Sequence, residues 1–343
     1  MISNTLDSLV VVSARIGGDP NLVQAGGGNT SLKQDGILWI KASGMWLAHA
    51  ATEDMFVPVP MDDIDIRLRS GDEKFPEYRT RSGTNLRPSV ETAMHAVLPQ
   101  RAVIHVHSVA TISWAAQNGV KEELDARLRG LRWAWIPYIH PGIPLAVHIR
   151  EESALNPEVL ILGNHGLVVA ADNLASAEEL LAEVERRLQV EARPSPPPDL
   201  HYLEKIAAGT TWAPVRDETF HSLATDLRSC EFVSQGTMYP DHCVYLGPSA
   251  PVKREGETIA AAVERYSSRN RYAPAFLLVE GAGVLVSNDL TRAGGELLGC
   301  LKRVAERIPA EADVSYLEDG QVARLMNWDA EKYRISVARR REQ

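Results

Sequence analysis

The chain has 343 residues, of which 45% are hydrophobic and 24% charged, proportions that exclude disordered, collagen-like and coiled-coil chains. Lys+Arg 36 against Asp+Glu 45 gives a net charge of -9, which argues against nucleic acid and anionic membrane surfaces as partners, since both reward basic patches. At about 100–200 residues per domain the length suits two domains or one large one.

The opening segment, MISNTLDSLVVVSARIGGDP, has no basic stretch before its apolar run and carries Asp7 early, so it predicts a first helix and not a signal peptide. No apolar run approaches the roughly 20 residues that span a bilayer. The three cysteines, Cys230, Cys243 and Cys300, fit no C-x-x-C pattern and predict reduced thiols. Together these features predict a soluble, cytoplasmic protein.

Further along, Gly26-Gly27-Gly28-Asn29-Thr30-Ser31 forms a small-residue loop ahead of a strand. Gly36–Ala42 (GILWIKA) predicts a strand closed by Ala42-Ser43-Gly44. Pro88–Leu98 predicts a helix with proline in its first turn, and Arg101–His107 (RAVIHVH) an alternating strand. Val159–Leu162 and Leu167–Ala170 read as two strands joined by Gly163-Asn164-His165-Gly166. Ser176–Glu191 has leucine and valine at helical spacing. Ala192–Leu200 (ARPSPPPDL) holds four prolines, which remove backbone donors and favour extended chain, the mark of a linker. The alternation of strands and helices predicts an α/β fold. The expected organisation is a catalytic domain over 1–192, a linker over 193–200 and a smaller domain over 201–343. The smaller domain contains a partial repeat: LGNHGLVVAADNLASAEELLAEV from Leu162 recurs as VEGAGVLVSNDLTRAGGELLGCL from Val279, with Ala282 where His165 stands in the first copy.

His105 and His107 lie at i and i+2 on a strand, so both imidazoles face the same side. Such a pair suits a divalent metal, or equally two surface or core histidines. His165, flanked by glycine, is a third candidate; three histidines with an open position describe a catalytic zinc site. Glu91 precedes the H-x-H strand and shares a helix face with His95. It could be a ligand, a general base or a carboxylate that complements the helix dipole. The loops at Gly28-Asn29, Ser43-Gly44 and Ser89 could cradle a phosphate or carboxylate through backbone N–H groups. None matches a Walker loop or G-x-G-x-x-G.

The order GGGNTS, ASG, PSVE-x3-H, H-x-H and NHG resembles the class II aldolase/adducin family over roughly residues 5–190. Within the family it is closest to the aldolase part of long rhamnulose-1-phosphate aldolase-like proteins, which place a PDH motif (here Pro240-Asp241-His242) between the aldolase part and a short-chain dehydrogenase. The resemblance implies a three-layer α/β/α domain with a central mixed sheet, followed by a smaller, degenerate α/β domain and no dehydrogenase domain. It implies Zn2+ or another divalent metal on His105, His107 and His165, with Glu91 as acid/base. Substrate phosphate would lie on Gly28, Asn29, Ser43, Gly44 and Ser89. The implied reaction is retro-aldol cleavage of a ketose, with a ketose 1-phosphate as the expected substrate, to a three-carbon keto fragment and an aldehyde through a metal-stabilised enediolate. A 4-epimerase, a sugar-acid phosphate decarboxylase and an adducin-like interaction module share the scaffold. A homo-oligomer acting on a small sugar or sugar phosphate is the expected assembly, and no nicotinamide chemistry is expected. Val90 stands where shorter members often have a second serine. Tyr138 is a candidate proton donor, Arg79, Arg81 and Arg87 are candidate substrate cations, and His242 with Cys243 is a candidate minor site.

Overall fold

The computed structural model describes residues 2–71, 78, 86–152 and 156–342; Arg79 and Arg81 lie outside them. The first region contains strands β1 (Asn29–Gln34), β2 (Ile37–Lys41), β3 (Phe56–Pro60), β4 (Ala102–Val106), β5 (Trp133–Ile136), β6 (Val159–Leu162) and β7 (Gly166–Ala171). Its helices are α1 (Ile2–Gly17), α2 (Met61–Ser70), α3 (Thr92–Val97), α4 (Val109–Ala115), α5 (Lys121–Arg127), α6 (Ile143–Glu152) and α7 (Leu174–Leu188). The strands form one mixed sheet of order β3-β2-β1-β4-β7-β6-β5, antiparallel except where β5 runs parallel to β6.

Period-2 alternation along β1 sets the layers. Thr30 faces α1, where its hydroxyl meets Ser13 Oγ at 2.6 Å. Asn29 and Ser31 face the other side, where both bond His95 of α3. Helices α1 and α7 pack together against one face, and α2, α3 and α6 form the group on the other. Apolar side chains of both faces, among them Leu38, Ile40, Ile104, Leu145, Val169 and Leu181, make one continuous core.

The Pro88–Leu98 helix is shorter than expected: α3 begins at Thr92. Pro88 bridges Ala42 instead, and Ser89 N–H donates to Lys41 O. This extended pairing prolongs the sheet and leaves Glu91 as the residue that caps α3. Arg101 and His107 likewise fall just outside β4. The Ser176–Glu191 helix runs from Leu174 to Leu188, because Asn173 accepts the Ser176 N–H as an N-cap and Gln189 turns extended.

Residues 189–199 are irregular, as the prolines require. Arg193 nevertheless anchors them: its guanidinium pairs with Asp226 at 2.5 Å and reaches Ser229 and the carbonyls of Ala305 and Ile308. The second region holds α8 (Leu200–Ala207), β8 (Trp212–Pro214), α9 (Ser222–Thr225), α10 (Leu227–Gln235), α11 (Pro240–Leu246), β9 (Val252–Lys253), α12 (Ile259–Asn270), β10 (Phe276–Val279), β11 (Gly283–Ser287), α13 (Arg292–Ala305), α14 (Asp319–Asn327) and α15 (Asp329–Glu342). Its sheet order, β8-β11-β10-β9, repeats β4-β7-β6-β5. The register repeats as well, since Ile161 pairs with Trp135 and Leu278, 117 positions on, with Val252. At the turn, Asn164 (φ 51) matches Gly281 (φ 73). Pro214 pairs with Leu285 where His105 pairs with Val168, so the second copy has proline and alanine in place of His105 and His165. The regions also share a core, in which Trp46, Val109 and Ile112 pack with Leu297, Leu298 and Leu301. Among the described residues no helix is long and apolar enough to cross a membrane.

Candidate metal centre

His105, His107 and His165 meet at the end of β4 and the β6–β7 turn, all buried, with one nitrogen of each within 4.8 Å of the others. Hydrogen bonds fix two of the rings. His105 Nδ1 lies 3.0 Å from Leu167 O and His107 Nδ1 2.8 Å from an Asp241 carboxylate oxygen. Both partners only accept, so each Nδ1 carries a proton and each Nε2 is the nitrogen left to ligate. His105 Nε2 is buried with no hydrogen-bond partner. Burial lowers the His105 imidazole and pushes His165 down to about 3, so both are neutral at pH 7, the form that ligates a cation. A buried imidazole nitrogen without a hydrogen-bond partner is costly. Three imidazoles that converge in this way fit a divalent metal.

Glu91 completes the cluster. Its carboxylate oxygens lie 3.4 Å from His105 Nε2 and 3.4 Å from His165 Nε2. Burial opposes its ionisation, while the positive charge that His105, His165 and His107 take on when protonated, with the Asn29 amide, favours it and pushes its carboxyl down to about 2. Asn29 Nδ2 donates to Glu91 at 2.7 Å and to Ser89 Oγ at 3.1 Å. The Asn29 carbonyl accepts from His95 Nε2, and His95 Nδ1 meets Ser31 Oγ at 2.7 Å. His95 is therefore a buried helix histidine that orients Asn29, which in turn orients Glu91.

The small-residue loops converge beside this cluster. Gly28 has φ 57, and a Cβ there would stand 2.9 Å from His105 O. Lys41 Nζ donates to the carbonyls of Gly26, Gly27 and Met45, tying the glycine loop to the Ser43-Gly44 turn. Ser43 and Ser89 are buried. Gly44 (φ 77) faces α15, where a Cβ would come within 2.8 Å of Val337. Ser89 Oγ also accepts the Glu91 N–H at 3.2 Å. The side chains of Asn29 and Ser89 are thus engaged with Glu91, while backbone lines the rest of the loop cluster. Arg87 stacks on Tyr333, 4.7 Å from ring centre to guanidinium carbon. Tyr138 packs against Cys243, Val244 and their neighbours, and burial raises its phenol above the ordinary range. His242 accepts the Met238 N–H at 3.3 Å and Cys243 donates to Pro240 O at 3.2 Å. Both are packed inside, and the three histidines are the one group of metal-ligand type among the described residues.

Sequence reading missed Asp241 as a partner of His107. The two are 134 positions apart, and no local spacing links them. It also missed Lys41 and Arg334, whose partners come from other elements.

Gly166 allows close approach of backbone next to His165. A Cβ there would stand 2.5 Å from Val106 O, an overlap that only strand displacement can relieve. Gly166→Ala is expected to destabilise the chain by about 2–3 kcal/mol, read as a lower urea midpoint with an unchanged m-value.

The family described as Class II Aldolase and Adducin N-terminal domain matches residues 8–192. A Bacillus subtilis (strain 168) protein named uncharacterized oxidoreductase YuxG is 34% identical over 181 residues, 48% of this chain and 26% of that one. The chain therefore matches about a quarter of that curated relative's length. Among solved structures, the N-terminal class II aldolase domain of a conserved protein from Thermoplasma acidophilum is 29% identical, covering 53% of this chain and 91% of that chain at a TM-score of 0.47. A sugar-phosphate aldolase from Thermotoga maritima is 14% identical, covering 55% and 93% at a TM-score of 0.44.

Proposed function

The chain belongs to the class II aldolase and adducin family through residues 8–192, and we propose that it is a divalent-metal-dependent lyase that cleaves a ketose by retro-aldol chemistry. The observation that carries this reading is the buried triad of His105, His107 and His165 around the Glu91 carboxylate. The triad would hold the metal, with zinc the proposed ion. When bound, the ion supplies Lewis acidity at the substrate carbonyl. In cleavage the electron pair of the C3–C4 bond stays with the three-carbon keto fragment. The C4 hydroxyl proton passes to water as the aldehyde forms, water in turn protonates Glu91, and Glu91 delivers that proton to C3 to complete the ketone. Glu91, ionised at neutral pH and oriented by Asn29, takes that C3 proton in the addition direction and returns it in cleavage.

The proposed substrate is a ketose 1-phosphate. Gly28, Asn29, Ser43, Gly44 and Ser89 are the proposed binding loops for its anionic end, and the overall charge of -9 leaves that task to local groups. A cytoplasmic homo-oligomer is the proposed form. The proposed division of the chain is a catalytic region over 1–192, a linker over 193–200 and an accessory region over 201–343.

The test is to incubate metal-loaded protein with a panel of ketose 1-phosphates and trap released aldehyde. Metal-dependent aldehyde release supports the lyase. Recovery of substrate inverted at C4 without free aldehyde would identify an epimerase, and CO2 release from a sugar-acid phosphate a decarboxylase. No turnover and no metal in folded protein would sink the enzyme reading.

A further inference from the structure

We propose that the second region is a working part of the metal centre, with Asp241 as the positioning residue that fixes His107 as a ligand. This rests on the metal-binding reading above. His107 follows the last residue of β4, so strand pairing alone does not set its ring. His105 takes its partner, Leu167 O, from the neighbouring strand. His107 takes its partner from α11, where Asp241 Oδ2 accepts the Nδ1 proton at 2.8 Å. A carboxylate on the far nitrogen fixes the tautomer, holds the ring plane and makes the ligating nitrogen more basic.

Asp241 is itself held. It is 1% exposed, and its other oxygen pairs with the Arg334 guanidinium from α15. Arg334 Nε lies 2.8 Å from Glu331, and its guanidinium carbon lies 5.3 Å from the ring centre of Tyr245, on the same helix as Asp241. A carboxylate this deep has a large desolvation cost that Arg334 offsets. Space for the bridge comes from Gly27, where a Cβ would stand 2.8 Å from His107 Nδ1 and 3.1 Å from Asp241 Oδ2. The same region also braces the third histidine. Asn164 Nδ2 donates to Met238 O and Ser315 O, each at 2.9 Å, which holds the left-handed turn that presents His165. Two of the three imidazoles therefore depend on residues of the second region for orientation.

The test measures Co2+ binding to the full chain at pH 7.5 by competition with a chromophoric chelator, together with the visible absorption bands of bound Co2+. Asp241→Ala is expected to weaken affinity about 10–100-fold and change the bands. Asp241→Asn, which keeps an acceptor, is expected to lose less. Because Asp241→Ala leaves Arg334 with less compensation, Asp241→Asn combined with Arg334→Met and Glu331→Gln removes all three buried charges together and is expected to fold and still bind Co2+ more weakly. Thr258→Ala, which removes the N-cap of α12 in the same region, is expected to lower Tm and leave Co2+ affinity unchanged. Wild-type affinity and bands in the folded Asp241 variants would overturn the inference and leave the metal reading standing. Absence of Co2+ binding by the wild-type chain would overturn both.

Discussion

Glu91→Gln is expected to keep the fold and the metal and to lose about 10²–10⁴-fold in turnover, the range for removal of a positioned general acid/base. The substitution preserves volume, and the glutamine carbonyl can still accept from Asn29 Nδ2, which donates to Glu91 at 2.7 Å. No charge is left stranded, because burial keeps the adjacent His105 and His165 imidazoles neutral at pH 7. What disappears is a group that can take a proton. The expected kinetic signature is an equal fall in kcat and kcat/KM. Steady-state kinetics on metal-quantified protein checks this, and undiminished turnover would remove the acid/base role of Glu91. Asn29→Ala should produce a smaller fall of the same kind, since it removes the donor that holds Glu91 but leaves the carboxylate.

His105→Ala is expected to reduce bound metal from about one ion per chain to near zero and turnover by about 10³-fold or more, the several kcal/mol of transition-state stabilisation that a Lewis acid supplies. His105 is 0% exposed, so the substitution also opens a cavity in the sheet end, at a stability cost of about 2–4 kcal/mol. The two effects separate by measurement. Metal content by mass spectrometry reports the ligand, and the urea midpoint of the chelator-treated protein reports the packing. Chelator treatment of wild type should reproduce the activity loss without the cavity cost. A folded His105→Ala variant that retains a full complement of metal would exclude His105 as a ligand.

The legible parts of this chain are those set by short-range pattern. Alternation in RAVIHVH placed His105 and His107 on one side of a strand, and β4 with its following residue puts both imidazoles at one point. The repeat from Leu162 and Val279 was readable because a hairpin followed by an amphipathic helix has a fixed apolar rhythm, and both sheets share it in order and register. The start of α3 was misplaced because proline at a helix N1 position and proline at a strand edge look alike in sequence. The Ala42–Pro88 bridge decides between them. The partners of the site were the least legible. Asn29, expected to help hold an anion, also bonds Glu91, Ser89 and His95 through its amide, partners that its spacing did not signal. The role of Asp241 depends on a contact across 134 positions, which no local period can signal.

The bridge from Asp241 to His107 also imposes an order on the birth of the protein. Translation delivers the three histidines first, on a sheet whose core closes within residues 9–188, and N-terminal regions generally fold as they emerge. Asp241 follows later and Arg334 later still, so a nascent chain passes through a stage in which His107 has no anchor and the buried acid has no counter-charge. Metal captured at that stage would be held weakly and exchanged easily. On the metal-binding reading proposed above, the ion that is retained would be selected after α15 docks, from whatever is on offer at that moment.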